Sequence, residues 1–99
     1  MDLGLADRVF VMVRAERDHL AELGVSSLYV FGSVARGDAR SDSDIDFLVD
    51  FEAPPDFDRY MQLKFFLEDL LHRPVDLLTR QGIRPELRLS IEQDARRVA

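Results

Sequence analysis

The sequence predicts an α/β domain of the α+β kind: a small mixed sheet of about three strands with helices packed on it. Three observations predict it. Segments with apolar residues at helical spacing alternate with short runs rich in β-formers. A chain of 99 residues has room for one modest core, so residues 1–99 are expected to form a single domain. Acidic and small polar residues fall at strand ends, where one particular topology brings them together. The expected order is helix, strand, short helix, strand, helix, strand, helix.

Residues 5–23 read as the first helix. Leu5, Val9, Met12, Val13, Leu20 and Leu23 share one stripe, and Gly24 follows as a stop. Glu16 projects into the same stripe without an evident reason. Residues 26–31 (Ser-Ser-Leu-Tyr-Val-Phe) read as a strand that ends at Gly32. Residues 33–43 are small, polar and charged, which predicts a loop with one helical turn at 33–36. Residues 44–51 read as a second strand, closed by Pro54 and Pro55, with Asp56 as an N-cap for the next helix. That helix spans residues 57–72, with Tyr60, Leu63, Leu67, Leu70 and Leu71 on its core face. Residues 74–79 form a third strand. Pro85 suits the first turn of a last helix, whose stripe is Leu87, Ile91, Ala95 and Val98.

Composition removes several function classes. Nineteen acidic residues stand against thirteen basic, a net charge of −6, so a broad electrostatic grip on nucleic acid is not expected. The absence of cysteine excludes disulfides, thiolate zinc sites and a cysteine nucleophile. The longest apolar run, Val9 to Val13, is far short of a membrane span. Met1, Asp2 and Leu3 lack the basic start of a secretory leader. A cytoplasmic protein without membrane contact is expected.

The chemistry is concentrated in residues 32–50, GSVARGDARSDSDIDFLVD. Asp44 and Asp46 are two apart on a strand, so their side chains leave one face while Ile45, Phe47 and Val49 leave the other. Two carboxylates on one face repel unless a cation lies between them, and magnesium suits such an oxygen site. The residues alone leave open a solvated strand face. Phe31-Gly32-Ser33 places Gly and Ser where a strand gives way to a helical turn. Gly permits close backbone approach, and free N–H groups beside the Ser33 hydroxyl suit a phosphate. By itself Gly-Ser is a turn. Asp76 lies between Val75 and Leu77 near the start of the third strand, where a charge needs a partner or water. For Ser33, Asp44, Asp46 and Asp76 to meet, the second strand must run antiparallel to the first. The third must run parallel to the second across a helical connection.

These residues resemble the minimal nucleotidyltransferases, a branch of the DNA polymerase β-like superfamily. The resemblance rests on Leu28-Tyr29-Val30-Phe31-Gly32-Ser33-Val34-Ala35-Arg36-Gly37-Asp38, then Ser41, then Ser43-Asp44-Ile45-Asp46-Phe47-Leu48-Val49. Pro74-Val75-Asp76-Leu77 matches the third acidic strand. The resemblance spans nearly the whole chain and implies the nucleotidyltransferase fold. It implies that Asp44, Asp46 and Asp76 are the catalytic carboxylates and hold Mg²⁺ or Mn²⁺, and that Gly32 and Ser33 bind the triphosphate of a nucleotide, most often ATP. It further implies that Asp76 helps activate an acceptor hydroxyl, which attacks the α-phosphorus and releases pyrophosphate. Arg36 either offsets charge on that leaving group or pairs with Asp38 or Asp42 at the surface. Ser43 either binds a phosphate or caps its loop, and the loop role is the better reading.

Proteins of this branch are typically encoded beside a HEPN-domain protein, often an RNase toxin. The resemblance therefore implies an antitoxin that transfers AMP to a toxin tyrosine. Two other readings stay open: an antitoxin that neutralises by binding alone, and a catalytic subunit that modifies a small molecule. The larger superfamily members carry further domains for base and acceptor, and none is expected here. Phe10 and Val11 on the first helix, and Met61 and Phe65 on the third, fall outside the core stripes and are candidate partner-binding residues. Two look-alikes fail. Arg36-Gly37-Asp38 spells an adhesion tripeptide but follows no secretion signal. Asp42, Asp44 and Asp46 begin like an EF-hand, yet Phe47 and Ala53 stand where that loop needs Gly and Glu.

Overall fold

A computed structural model describes residues 4–99, so Met1, Asp2 and Leu3 lie outside the described residues. Helix α1 (Leu5–Ala15) and helix α2 (Arg17–Glu22) precede strand β1 (Val25–Phe31) and the short helix α3 (Gly32–Arg36). Strand β2 (Ile45–Phe51), helix α4 (Phe57–Leu71) and strand β3 (Val75–Thr79) come next. A 3-10 turn at Arg80–Gly82, helix α5 (Pro85–Asp94) and strand β4 (Arg96–Arg97) complete the order. The sheet order is β3-β2-β1-β4. β2 runs antiparallel to β1 and parallel to β3, as the placement of the acids requires.

Strand alternation divides the sheet into two apolar faces. Leu28, Val30, Ile45, Phe47, Val49, Val75 and Leu77 point to one face, where Val9, Val13, Leu20, Leu63 and Leu67 of the helices cover them. Phe31 and Leu48 point to the other, where Ile83 and Ile91 form a smaller cluster. Asp46 and Asp76 belong to this second face by the same alternation. At its far end Asp50 is held by Arg80, Nε to Oδ1 at 2.9 Å and Nη2 to Oδ2 at 3.1 Å, and accepts from Ser27 Oγ at 2.8 Å.

That pairing with Arg80 holds the Asp50 carboxyl below its ordinary range, with Ser27 assisting. Its stabilisation is present above the ordinary carboxylate pKa and is lost as pH falls through the lowered one. Arg80→Met is expected to destabilise the fold by about 1 to 2 kcal/mol at pH 7, reduced because the pair is partly solvated. Urea melts should show this loss shrinking toward acid.

Several expectations are corrected. The first helix is two, broken at Glu16, whose φ of −101° and ψ of 17° leave the helical range. A continuous helix would drive the Glu16 carboxylate into the apolar stripe, and the break keeps it partly solvated. Met12 is exposed, whereas Leu20 still reaches the core from α2. β2 begins at Ile45, one residue after Asp44. The last helix stops at Asp94, so Ala95 and Val98 do not continue its stripe, and Leu87 is half exposed. Instead Arg96 and Arg97 make a fourth strand against β1, and the Val98 N–H bonds the Leu28 carbonyl at 2.9 Å. Val98 is fully buried by this return to the sheet.

Candidate functional site

The site is built where β1 ends and β2 and β3 begin. Phe31 is in register with Asp46, and Asp46 with Asp76, which sets the end of β1 and two carboxylates side by side across three strands. Neighbouring strands lie about 4.8 Å apart, so Asp46 and Asp76 stand side by side on the same face of the sheet. Asp44 precedes β2 by one residue and is exposed, as is Asp76, while Asp46 is half buried.

Gly32 turns the chain from β1 into α3 with φ of +71°, the left-handed region that favours glycine. A Cβ on Gly32 would lie 2.3 Å from Asp46 Oδ2. The backbone of the Gly-Ser turn therefore rests directly against the Asp46 carboxylate. Ser33 comes next, half buried, and its carbonyl accepts from the Asp38 N–H at 3.0 Å.

Burial pushes the Asp46 carboxyl up to about 6, and the charges of Asp76 and Asp44 push the same way, with Arg36 opposing them. Such crowding of three acids is what a bound cation would relieve. Among the described residues no three carboxylate or imidazole groups are drawn into a ready cage. The donor set still fits a hard divalent ion. Magnesium needs only one or two protein carboxylates beside its waters and substrate phosphates, and unneutralised carboxylates splay apart.

The other expected residues take these places. Arg36 Nη1 bonds Asp94 at 2.7 Å and its Nε reaches Asp38 at 3.4 Å, so α3 is tied to α5. Ser43 Oγ accepts from the Arg40 N–H at 2.8 Å and closes the loop turn that leads to Asp44. Val11 is 61% exposed and Phe65 54% exposed. Phe10 is half buried with the Arg96 guanidinium 4.7 Å above its ring, and Met61 is half buried.

Sequence reasoning missed Arg73, whose guanidinium donates to the carbonyls of Arg40, Ser41 and Ser43. It ties the start of β3 to the loop that delivers Asp44. Nothing in the sequence marks it, because its partners are backbone carbonyls about thirty residues away. Also unforeseen is a hollow of about 610 Å³, lined by Phe51, Pro54, Pro55, Phe57, Tyr60 and Thr79. It lies at the other end of β2, five residues or roughly 16 Å from Asp46.

The profile of the nucleotidyltransferase domain matches residues 13–98. The chain belongs to that family. This nucleotidyltransferase is 40% identical over 74 residues to protein adenylyltransferase MntA of Thermococcus cleftensis, covering 74% of the present chain and 75% of the relative. A solved chain assigned as a minimal nucleotidyltransferase is 40% identical, with a TM-score of 0.72 over 88% of this chain and 93% of that one. A chain from the complex of tri-AMPylated Shewanella oneidensis HEPN toxin with MNT antitoxin has a TM-score of 0.59 at 19% identity. The match covers 89% of this chain and 72% of that one, and shows the shared fold. The protein is thus an enzyme by family, a nucleotidyltransferase similar to relatives that are named protein adenylyltransferases.

Proposed function

We propose that residues 1–99 act as one metal-dependent nucleotidyltransferase domain that moves AMP from ATP to a tyrosine hydroxyl of a HEPN-type RNase toxin, as its antitoxin. The observation that carries this reading is the register of Phe31, Asp46 and Asp76, which sets the Gly32-Ser33 turn beside two acids on neighbouring strands. Membership of the adenylyltransferase branch supports the nucleotide, and the toxin complex of a fold neighbour supports the partner. Among the described residues no helix is long and apolar enough to cross a membrane.

Magnesium or manganese held by Asp44, Asp46 and Asp76 would neutralise charge on the triphosphate. The remaining work falls to the chain itself. The Gly32-Ser33 turn seats the phosphates close against the sheet end. Asp76, exposed at the edge strand, accepts the proton of the attacking hydroxyl. The tyrosine oxygen bonds to the α-phosphorus as the bond to the β-phosphate oxygen breaks, and pyrophosphate leaves. Arg36 meets that leaving charge if its pairing with Asp94 opens. Asp44 and Asp76 are exposed, so a residue on another protein can reach them. Val11 and Phe65 are among the exposed apolar residues and are offered to that partner, and Phe65→Asp is expected to weaken the complex with the fold retained.

The test is incubation with labelled ATP, Mg²⁺ and the neighbouring HEPN-domain protein, beside the Asp44→Ala, Asp46→Ala double variant. Label on the toxin that disappears with the variant is expected. Full neutralisation by the variant with no label transferred would favour the second reading, an antitoxin that works by binding alone.

A further inference from the structure

β3 is an edge strand, so the backbone groups on its outer side have no neighbouring strand. Carbonyls alternate sides along a strand. The Pro74 carbonyl faces β2, where it accepts from the Ile45 N–H at 3.0 Å, so the polar groups of Val75 and Leu77 face outward. Helix α4 meets them with one row of side chains at i, i+4 and i+8. Tyr60 donates to the Leu77 carbonyl and Lys64 to the Val75 carbonyl, while Glu68 Oε2 accepts from the Val75 N–H at 3.0 Å. Lys64 and Glu68 also pair with each other at 3.4 Å.

Both polar groups of Val75 are therefore held by one ion pair, immediately before Asp76. Lys64 is the single lysine in a chain with twelve arginines. An ammonium is a compact charge that fits over one carbonyl, whereas a guanidinium fork needs more room. Tyr60 covers the same edge two residues further on, beyond Asp76, and gives an internal comparison.

We propose that Lys64 and Glu68 are positioning residues for Asp76, clamping the Val75 peptide so that the Asp76 carboxylate is presented to the cation and acceptor at a fixed height on the sheet end. This rests on the reading of Asp76 as a site carboxylate. Edge cover alone would make Tyr60, Lys64 and Glu68 equivalent. Positioning makes them unequal, because a displacement near 1 Å at a reacting group is enough to cost about 10²-fold in rate.

The experiment titrates Mn²⁺ into the full chain and follows the electron spin resonance of the free ion, with thermal melts to confirm folding. Lys64→Met and Glu68→Ala are each expected to weaken Mn²⁺ by about tenfold, the usual size when a group that orients a ligand is removed. Glu68→Gln keeps an oxygen for the Val75 N–H and is expected to stay within about threefold of the wild type, as is Tyr60→Phe. Should Glu68→Ala fail to fold, Lys64→Met decides. Equal weakening by Tyr60→Phe overturns the proposal in favour of plain edge cover. Unchanged affinity in Glu68→Ala and Lys64→Met, with Asp76→Ala weakened, overturns positioning and leaves the site reading standing. Unchanged affinity in Asp76→Ala overturns both.

Discussion

Gly32→Ala is expected to remove nearly all nucleotide transfer, by about 10²-fold or more, and to cost about 2 kcal/mol of stability. Two causes act together. The backbone at Gly32 has φ of +71°, which an alanine adopts only with strain. The new methyl would also sit 2.3 Å from Asp46 Oδ2, inside any real contact. The flexible carboxylate must give way, and the group moved belongs to the residue in register with Asp76. Gly24→Ala supplies the comparison. Gly24 has φ of +84°, but a methyl there would meet nothing within 4 Å. It is expected to lose about 1 kcal/mol from strain and to keep its activity. Urea melts and initial rates on both variants check this, and equal activity losses would contradict a specific Gly32–Asp46 contact.

Asp46→Asn is expected to separate stability from activity. The Asp46 carboxyl titrates near 6, raised by burial and then by Asp76 and Asp44. The folded state binds this proton more tightly than the unfolded chain, so stability falls as pH rises from about 4 to about 6 and is level above. A shift of about two pKa units corresponds to nearly 3 kcal/mol, and the half-exposed position reduces it to about 1 to 2 kcal/mol. A neutral amide of the same shape escapes that penalty. The variant should be more stable than the wild type by this amount at pH 7, and the difference should vanish near pH 4. Its transfer rate should fall by about 10²–10³-fold, the size expected when a charge preorganised at the reacting phosphate is lost. Urea melts at pH 7 and pH 4 measure the first effect. A destabilised variant at pH 7 would mean that Asp46 is a structural carboxylate.

The placement of the candidate residues was legible because its signals are local. Asp46 takes its face from the two-residue period of β2, Asp44 stands one residue before that strand, Gly32 marks the end of a strand, and Asp76 lies near the start of the next. Sequence order then required β2 antiparallel to β1 and β3 parallel to β2. What was illegible depends on tertiary partners. Arg96 and Arg97 look like helix continuation, and only the free edge of β1 makes them a strand. Glu16 gave no reason for itself because its role is to lie where the helix breaks. Arg73, Lys64 and Glu68 act on backbone carbonyls and amides, which leave no side-chain signature. Asp50 shares its strand with Asp46, yet it lies at the far end, paired with Arg80.

This sheet end is proposed to transfer the nucleotidyl group. That transfer is tested most directly by parallel incubations of the chain, Mg²⁺ and the proposed HEPN-domain partner with ATP labelled at the α- or the γ-phosphate. Attack at the α-phosphorus predicts that α-label moves to the partner while γ-label leaves in pyrophosphate. It also predicts that Asp46→Asn slows both events by about 10²–10³-fold. Transfer of γ-label, or α-label transfer undiminished in Asp46→Asn, would contradict it.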